Sequence, residues 1–97
     1  MVATKLAQMY ERKLFTQYQT EVQLHHPMFF ERLRAVCPCL TRPDIWICML
    51  MRLGLTVDEI KFQLKLEEGS YYNRCWKLRK KLGLNEGENL ALFLMAL

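Results

Sequence analysis

Residues 54 to 84 confine the fold more tightly than any other part of the chain, because they hold two helical patterns with almost no room between them. Gly54 is followed by Thr56-Val57-Asp58-Glu59, which fits a capping box: the Thr56 hydroxyl and the Glu59 carboxylate each satisfy an amide at a helix start. Ile60 and Leu64 then point inward, Leu66 falls in a turn, and a second helix is expected from about Glu68 to Leu82. Its inward stripe is Tyr71, Cys75, Leu78 and Leu82, and Gly83 closes it. A short capped helix, a tight turn and a second, basic helix make a helix-turn-helix.

The remaining chain carries the same periodicity. Ala3, Leu6, Tyr10, Leu14, Tyr18 and Val22 recur at three- or four-residue spacing and predict an amphipathic helix over residues 3–24, with Lys5, Gln8, Glu11, Arg12, Gln19 and Gln23 on its other face. That helix must lie against the rest of the domain or against the same helix of a second chain. Pro27 suits the first turn of a second helix, whose buried side would be Met28, Phe29, Leu33 and Val36, and Pro38 ends it. Thr41 caps a third helix with Pro43 and Asp44 in its first turn, and the run from Ile45 to Met51 is apolar nearly all round, as befits a central helix. Asn85 and Glu88 frame a last helix start, with Leu90, Phe93, Leu94 and Leu97 on one face. No period-two alternation occurs. The expectation is an all-α fold: a small bundle of four to five helices over residues 26–97 containing the helix-turn-helix, preceded by an amphipathic helix over residues 1–25 that could serve for dimerisation or as a linker.

The 97 residues suit one small domain, and 52% hydrophobic residues suffice for a single core. No apolar run reaches the roughly 18 residues of a membrane span, and the charged residues Lys5, Glu11, Arg12 and Lys13 break any signal-peptide core, so a cytoplasmic location is expected. The four cysteines are spaced wrongly for a zinc knuckle or a disulfide framework: Cys37 and Cys39 form one close pair, while Cys48 and Cys75 fall on apolar stripes as small buried hydrophobes. His25 and His26 are the only further ligands that could join Cys37 and Cys39, and His26 precedes a proline where a helix begins. No metal, cofactor or small-molecule ligand is expected. Paired carboxylates, a nucleophile beside a base and a glycine-rich phosphate loop are all missing from the sequence, so an enzyme is not expected either.

The net charge of +4 is modest, but its distribution is uneven. Arg74, Lys77, Arg79, Lys80 and Lys81 lie within about two turns of one expected helix with no acid among them. With Tyr71, Cys75, Leu78 and Leu82 inward, helical geometry leaves Ser70, Tyr72, Asn73, Trp76, Lys77 and Lys80 on exposed sides. An Asn can pair with adenine in the major groove, Lys77 can reach guanine or phosphate, and Ser70 can grip a phosphate at the helix start. Arg79, Lys80 and Lys81 would hold the sugar-phosphate backbone. Tyr72 and Trp76 could equally form a second packing surface.

The segment resembles the LuxR-type (GerE-like) helix-turn-helix of bacterial transcription factors, in particular the subtype that ends large sensor proteins. The matching residues are Leu53-Gly54-Leu55-Thr56, Asp58-Glu59-Ile60, Leu64-Lys65-Leu66, Leu78 to Leu84, and Glu88-Asn89-Leu90 with Phe93-Leu94. Upstream, His26-Pro27, Phe29 or Phe30, Leu33, Pro38, Leu40-Thr41 and Leu50 fit the same pattern, so the likeness covers residues 26–97. It implies a DNA-binding transcriptional regulator, or the output domain of one, that works as a dimer and places the 68–82 helix in the major groove. Contacts to DNA are implied for Ser70, Tyr72, Asn73, Trp76 and Lys77, with Thr56 and Lys80 on the backbone. The chain departs from the pattern at Lys61, where a small Ala is usual, at Glu67-Glu68, where Ser or Thr caps the recognition helix, and at Tyr71 and Tyr72. Carboxylates at Glu67 and Glu68 suit the helix dipole but repel a phosphate at the same place. These departures, with the aromatic pair, motivate the alternative: a helical interaction or dimerisation module of the same fold with weak or lost DNA binding.

Overall fold

A computed structural model describes the backbone of residues 2–85 and 87–97 and the side chains of residues 9–85 and 87–97. Among the described residues there are six helices and no strand: α1 Val2–His25, α2 Phe29–Val36, α3 Arg42–Arg52, α4 Val57–Leu64, α5 Glu68–Lys81 and α6 Leu90–Met95. No helix among them is long and apolar enough to cross a membrane.

The hub is α3, which packs against α1, α4, α5 and α6. Its sequence suits that position, since Trp46, Ile47, Cys48, Met49, Leu50 and Met51 are all buried in succession. Only an element covered on several sides can bury six consecutive residues. Its N-terminus is fixed by Asp44, whose Oδ2 accepts from the Thr41 amide at 3.1 Å and from the Thr41 hydroxyl at 2.9 Å. At the other end Gly54 takes φ +86°, and the Leu55 amide reaches back to the Leu50 carbonyl at 3.1 Å.

Against α3, α1 lays down Phe15, which is buried, and Tyr18, which is half-buried; both meet the Trp46 ring edge-on, at centroid distances of 5.1 and 5.7 Å. Val22 is fully buried, whereas Tyr10 is 66% exposed. The inner seam is therefore Leu14, Phe15, Tyr18 and Val22, rotated from the expected stripe because the indole of Trp46 draws in Phe15. Ala3, Leu6, Lys5 and Gln8 of that stripe and its opposite face lie outside the described side chains. Phe15 and Val22 belong to the same core as the residues of α2 to α6.

Two further elements differ from expectation at their starts. Pro27 lies in a turn ahead of α2, not in its first helical turn, and Phe30 takes the core place expected for Met28 and Val36, which stay 45% and 43% exposed. Eight residues supply little more than two turns, and the Phe29–Phe30 pair, 5.5 Å apart, fills the space below α1. The last helix begins at Leu90, capped by the Asn89 side chain, which accepts from the Leu92 amide at 3.1 Å. Asn85 and Glu88 belong to the turn ahead of it, where the Asn85 amide donates to Glu88 Oε1 at 3.3 Å and Gly87, just before Glu88, takes φ +88°. The Arg32 guanidinium donates to the Leu97 carbonyl at 2.9 Å and ties α2 to the segment after α6.

Candidate functional site

The turn between α4 and α5 is three residues long, and its geometry is set locally. The Thr56 hydroxyl accepts from the Glu59 amide at 3.2 Å, and Glu59 Oε1 accepts from the Thr56 amide at 3.0 Å. The Thr56 amide holds the Glu59 carboxyl below its usual pKa. At the end of α4, Lys65 adopts the left-handed conformation at φ 54°, a place usually given to glycine, and the Leu66 amide returns to the Lys61 carbonyl at 2.9 Å. Lys61 itself has a largely covered side chain whose ammonium emerges 3.4 Å from Asp58 Oδ1. Its stem packs while its head reaches water.

The inward stripe of α5 is Tyr71, Cys75, Leu78 and Leu82, all buried. Opposite them, Ser70, Asn73, Lys77 and Lys80 are exposed, with Tyr72 and Trp76 about equally open at 57% and 58%. The Lys80 ammonium stands 4.9 Å from the Trp76 ring centroid, a cation–π arrangement on the outer surface. Arg74 is exposed on the other flank, beside Phe62 and Tyr10. Thr56 is exposed at the start of α4, with its hydroxyl engaged as the cap acceptor and its proton still available to donate. The ion pairs among the described residues are Arg42–Glu11, Lys61–Asp58 and Lys81–Asp44, and the His25 imidazole lies 3.4 Å from the Glu21 carboxylate. Glu67 and Glu68, although exposed at the head of α5, therefore neutralise none of its cations; Glu67 is the N-cap residue and makes no cap bond with its side chain.

Two of the expected backbone-holding cations are engaged within the protein. Lys81 turns to α3, where its ammonium meets Asp44 Oδ2 at 2.6 Å. Burial alone would raise the Asp44 carboxyl, but the Lys81 ammonium and the two Thr41 donors outweigh it and leave the pKa below the usual value. Arg79 donates to the Asn85 carbonyl at 3.2 Å and so braces the loop after α5. The outward group is thus Ser70, Tyr72, Asn73, Arg74, Trp76, Lys77 and Lys80, with Lys81 and Arg79 serving to hold the helix in place.

A second surface, not evident from helical periodicity, lies between α1 and α4. Phe62 is 85% exposed, and beside it Tyr10, Leu14, Trp46 and Leu64 line a groove of about 920 Å³ between α1 and α4. The Glu11 carboxylate forms its polar edge, accepting from the Trp46 indole at 2.8 Å and from Arg42 at 3.4 Å. Phe62 was detectable, since it falls opposite Ile60 on the α4 wheel; the groove was not, because its walls are distant in sequence. Across α5, a smaller groove of about 560 Å³ runs between Tyr72, Trp76 and Arg79 on one side and Val57, Asn89 and Ala91 on the other.

Cys48 and Cys75 offer no reactive thiolate: burial pushes Cys48 up to about 12, and Cys75 is raised for the same reason. Among the described residues no group of three or more His, Cys, Asp or Glu side chains is placed to hold a metal ion. Comparison with protein-family models, with curated proteins and with solved structures finds no match to this chain.

Proposed function

We propose that the chain binds double-stranded DNA through the outer face of α5 and acts as a transcriptional regulator or as the output domain of one. The observation that carries this reading is the unpaired cationic face of α5: Arg74, Lys77 and Lys80 surround Asn73 and Ser70, and none of the three cations meets a carboxylate among the described residues. Asn73 is suited to adenine, Lys77 to guanine or phosphate, and Arg74 and Lys80 to phosphate. Trp76 stiffens Lys80 by holding its ammonium over the ring. In this reading the protein works in the bacterial cytoplasm as a homodimer, with two α5 helices in successive major-groove turns about 34 Å apart. No reaction is catalysed and no cofactor is required.

The test is fluorescence anisotropy against a random-sequence duplex pool followed by selection of tight binders, repeated across a salt series. Three phosphate contacts per protomer give a slope of about −2.7 in log K against log salt for each protomer, and about −5 for the dimer. Asn73→Ala or Lys77→Ala is expected to cost about 1–3 kcal/mol on the selected duplex where the side chain reads a base. Binding that is absent, or indifferent to salt and to both substitutions, overturns the proposal. The exposed Phe62, Tyr72 and Trp76 favour a second reading, a helical interaction module in which these aromatics meet a protein partner. It predicts that Phe62→Ala and Trp76→Ala abolish association while duplex DNA is ignored.

A further inference from the structure

The connection between α2 and α3 carries a feature that plays no part in the DNA reading. Cys37 and Cys39 flank Pro38, and the fold brings their Sγ atoms to 3.1 Å, close enough for one thiol to donate to the other. The two sulfurs differ in access: Cys37 is 4% exposed and sits in the core, whereas Cys39 is exposed. The Cys37 amide is held by the Leu33 carbonyl at 2.9 Å, which fixes the end of α2 behind it. Ahead, the Thr41 hydroxyl donates to Asp44 Oδ2 at the start of α3, and the same oxygen accepts from the Lys81 ammonium. Both ends of the connection are therefore anchored, and the sulfurs meet because of it.

We propose that Cys37 and Cys39 form a redox-active dithiol that closes to an intramolecular disulfide by exchange with a small disulfide such as oxidised glutathione. A disulfide needs its sulfurs about 2.05 Å apart, so closing the pair moves them by about 1 Å. The exposed Cys39 thiolate attacks one sulfur of the oxidant, forming a mixed disulfide and releasing one thiol. Cys37 then loses its proton to solvent and attacks the Cys39 sulfur, which releases the second thiol. Two protein thiols are oxidised, one disulfide of the oxidant is reduced to two thiols, and no other electron carrier is needed. Hydrogen bonding to Cys39 and burial both raise the Cys37 thiol, which fits its role as the second, resolving sulfur. The cysteine spacing that speaks against a zinc knuckle thus suits a two-sulfur device.

The test equilibrates the whole chain with glutathione buffers of graded ratio, quenches with acid, alkylates free thiols and maps them by peptide mass spectrometry. The expected result is a Cys37–Cys39 disulfide that persists in Cys48→Ser, is lost in Cys39→Ser, and forms with an equilibrium constant about tenfold or more above that of the urea-unfolded chain. Cys39→Ser alters an exposed position, so its folding is checked by circular dichroism alongside. A Cys39–glutathione adduct that never resolves, a dimer linked through Cys39, or equal oxidation of folded and unfolded chain would each overturn the proposal.

Discussion

Asp44 bonds both to the residue that caps α3 and to the last residue of α5, and its removal tests how α5 is held. Its Oδ2 accepts from the Thr41 amide and hydroxyl and from the Lys81 ammonium, while the residue is 8% exposed. Asp44→Ala leaves the Thr41 amide without its partner, a capping loss of about 1 kcal/mol, and removes a negative charge from a helix start, worth about 0.3–1 kcal/mol more. The freed Lys81 adds to the loss. The sum is about 2 kcal/mol, which for a domain of this size lowers Tm by about 10 °C. Asp44→Asn keeps an acceptor for Thr41 and gives up chiefly the charge. The depressed Asp44 pKa fixes the sign with pH: its contribution is complete above the unfolded value near 4 and is lost as pH falls through the lower folded value. Lys81 is shifted upward by Asp44, so its contribution is complete below the unfolded lysine value and fades as pH rises through the folded one. Urea unfolding followed by circular dichroism at graded pH checks both. The gap between wild type and Asp44→Asn should narrow as pH drops from about 5 toward 2. An Asp44→Ala protein within about 0.5 kcal/mol of wild type, or a gap that ignores pH, refutes the assignment.

Other substitutions probe the site and its turns. Glu67→Ser supplies the missing cap at the head of α5, with a gain of about 1 kcal/mol in urea unfolding; the proposed DNA-binding function further predicts tighter binding of duplex DNA by anisotropy, because a carboxylate is removed from the head of α5. Trp76→Ala, at a position 58% exposed, should leave stability within about 0.5 kcal/mol yet weaken DNA binding; the reverse pattern in thermal melts and anisotropy would make Trp76 a packing residue. Gly83→Ala meets no atom within 4 Å, so its cost is conformational, about 1 kcal/mol at φ +72°. Lys65→Gly should gain up to about 1 kcal/mol by the same reasoning, and opposite signs in paired urea titrations are the check.

The sequence shows what is periodic and conceals what is tertiary. Tyr71, Cys75, Leu78 and Leu82 could be assigned inward because a single helix face repeats every three or four residues, and the face opposite them follows without further information. The Thr56–Glu59 box was equally visible, since both partners lie within one turn. The sequence does not mark Lys81 as engaged, because its partner Asp44 is 37 positions away and nothing in a basic run distinguishes the residue that turns back. The periodicity does not single out Phe15 beside Leu14 for a related reason: Trp46, whose ring it meets edge-on, lies on another helix. At Lys65 the missing glycine hid a left-handed turn that the short spacing nevertheless imposed.

The six residues of α6 are far fewer than the roughly 12–15 at which an isolated helix becomes even marginal in water. Leu90 and Leu94 must therefore dock on α3 before their own backbone bonds become worthwhile, which ties the helicity of this segment to its seat on the hub helix. Amide exchange should run faster there than in α3, and each detachment briefly bares one flank of the hub helix while the remaining helices stay together.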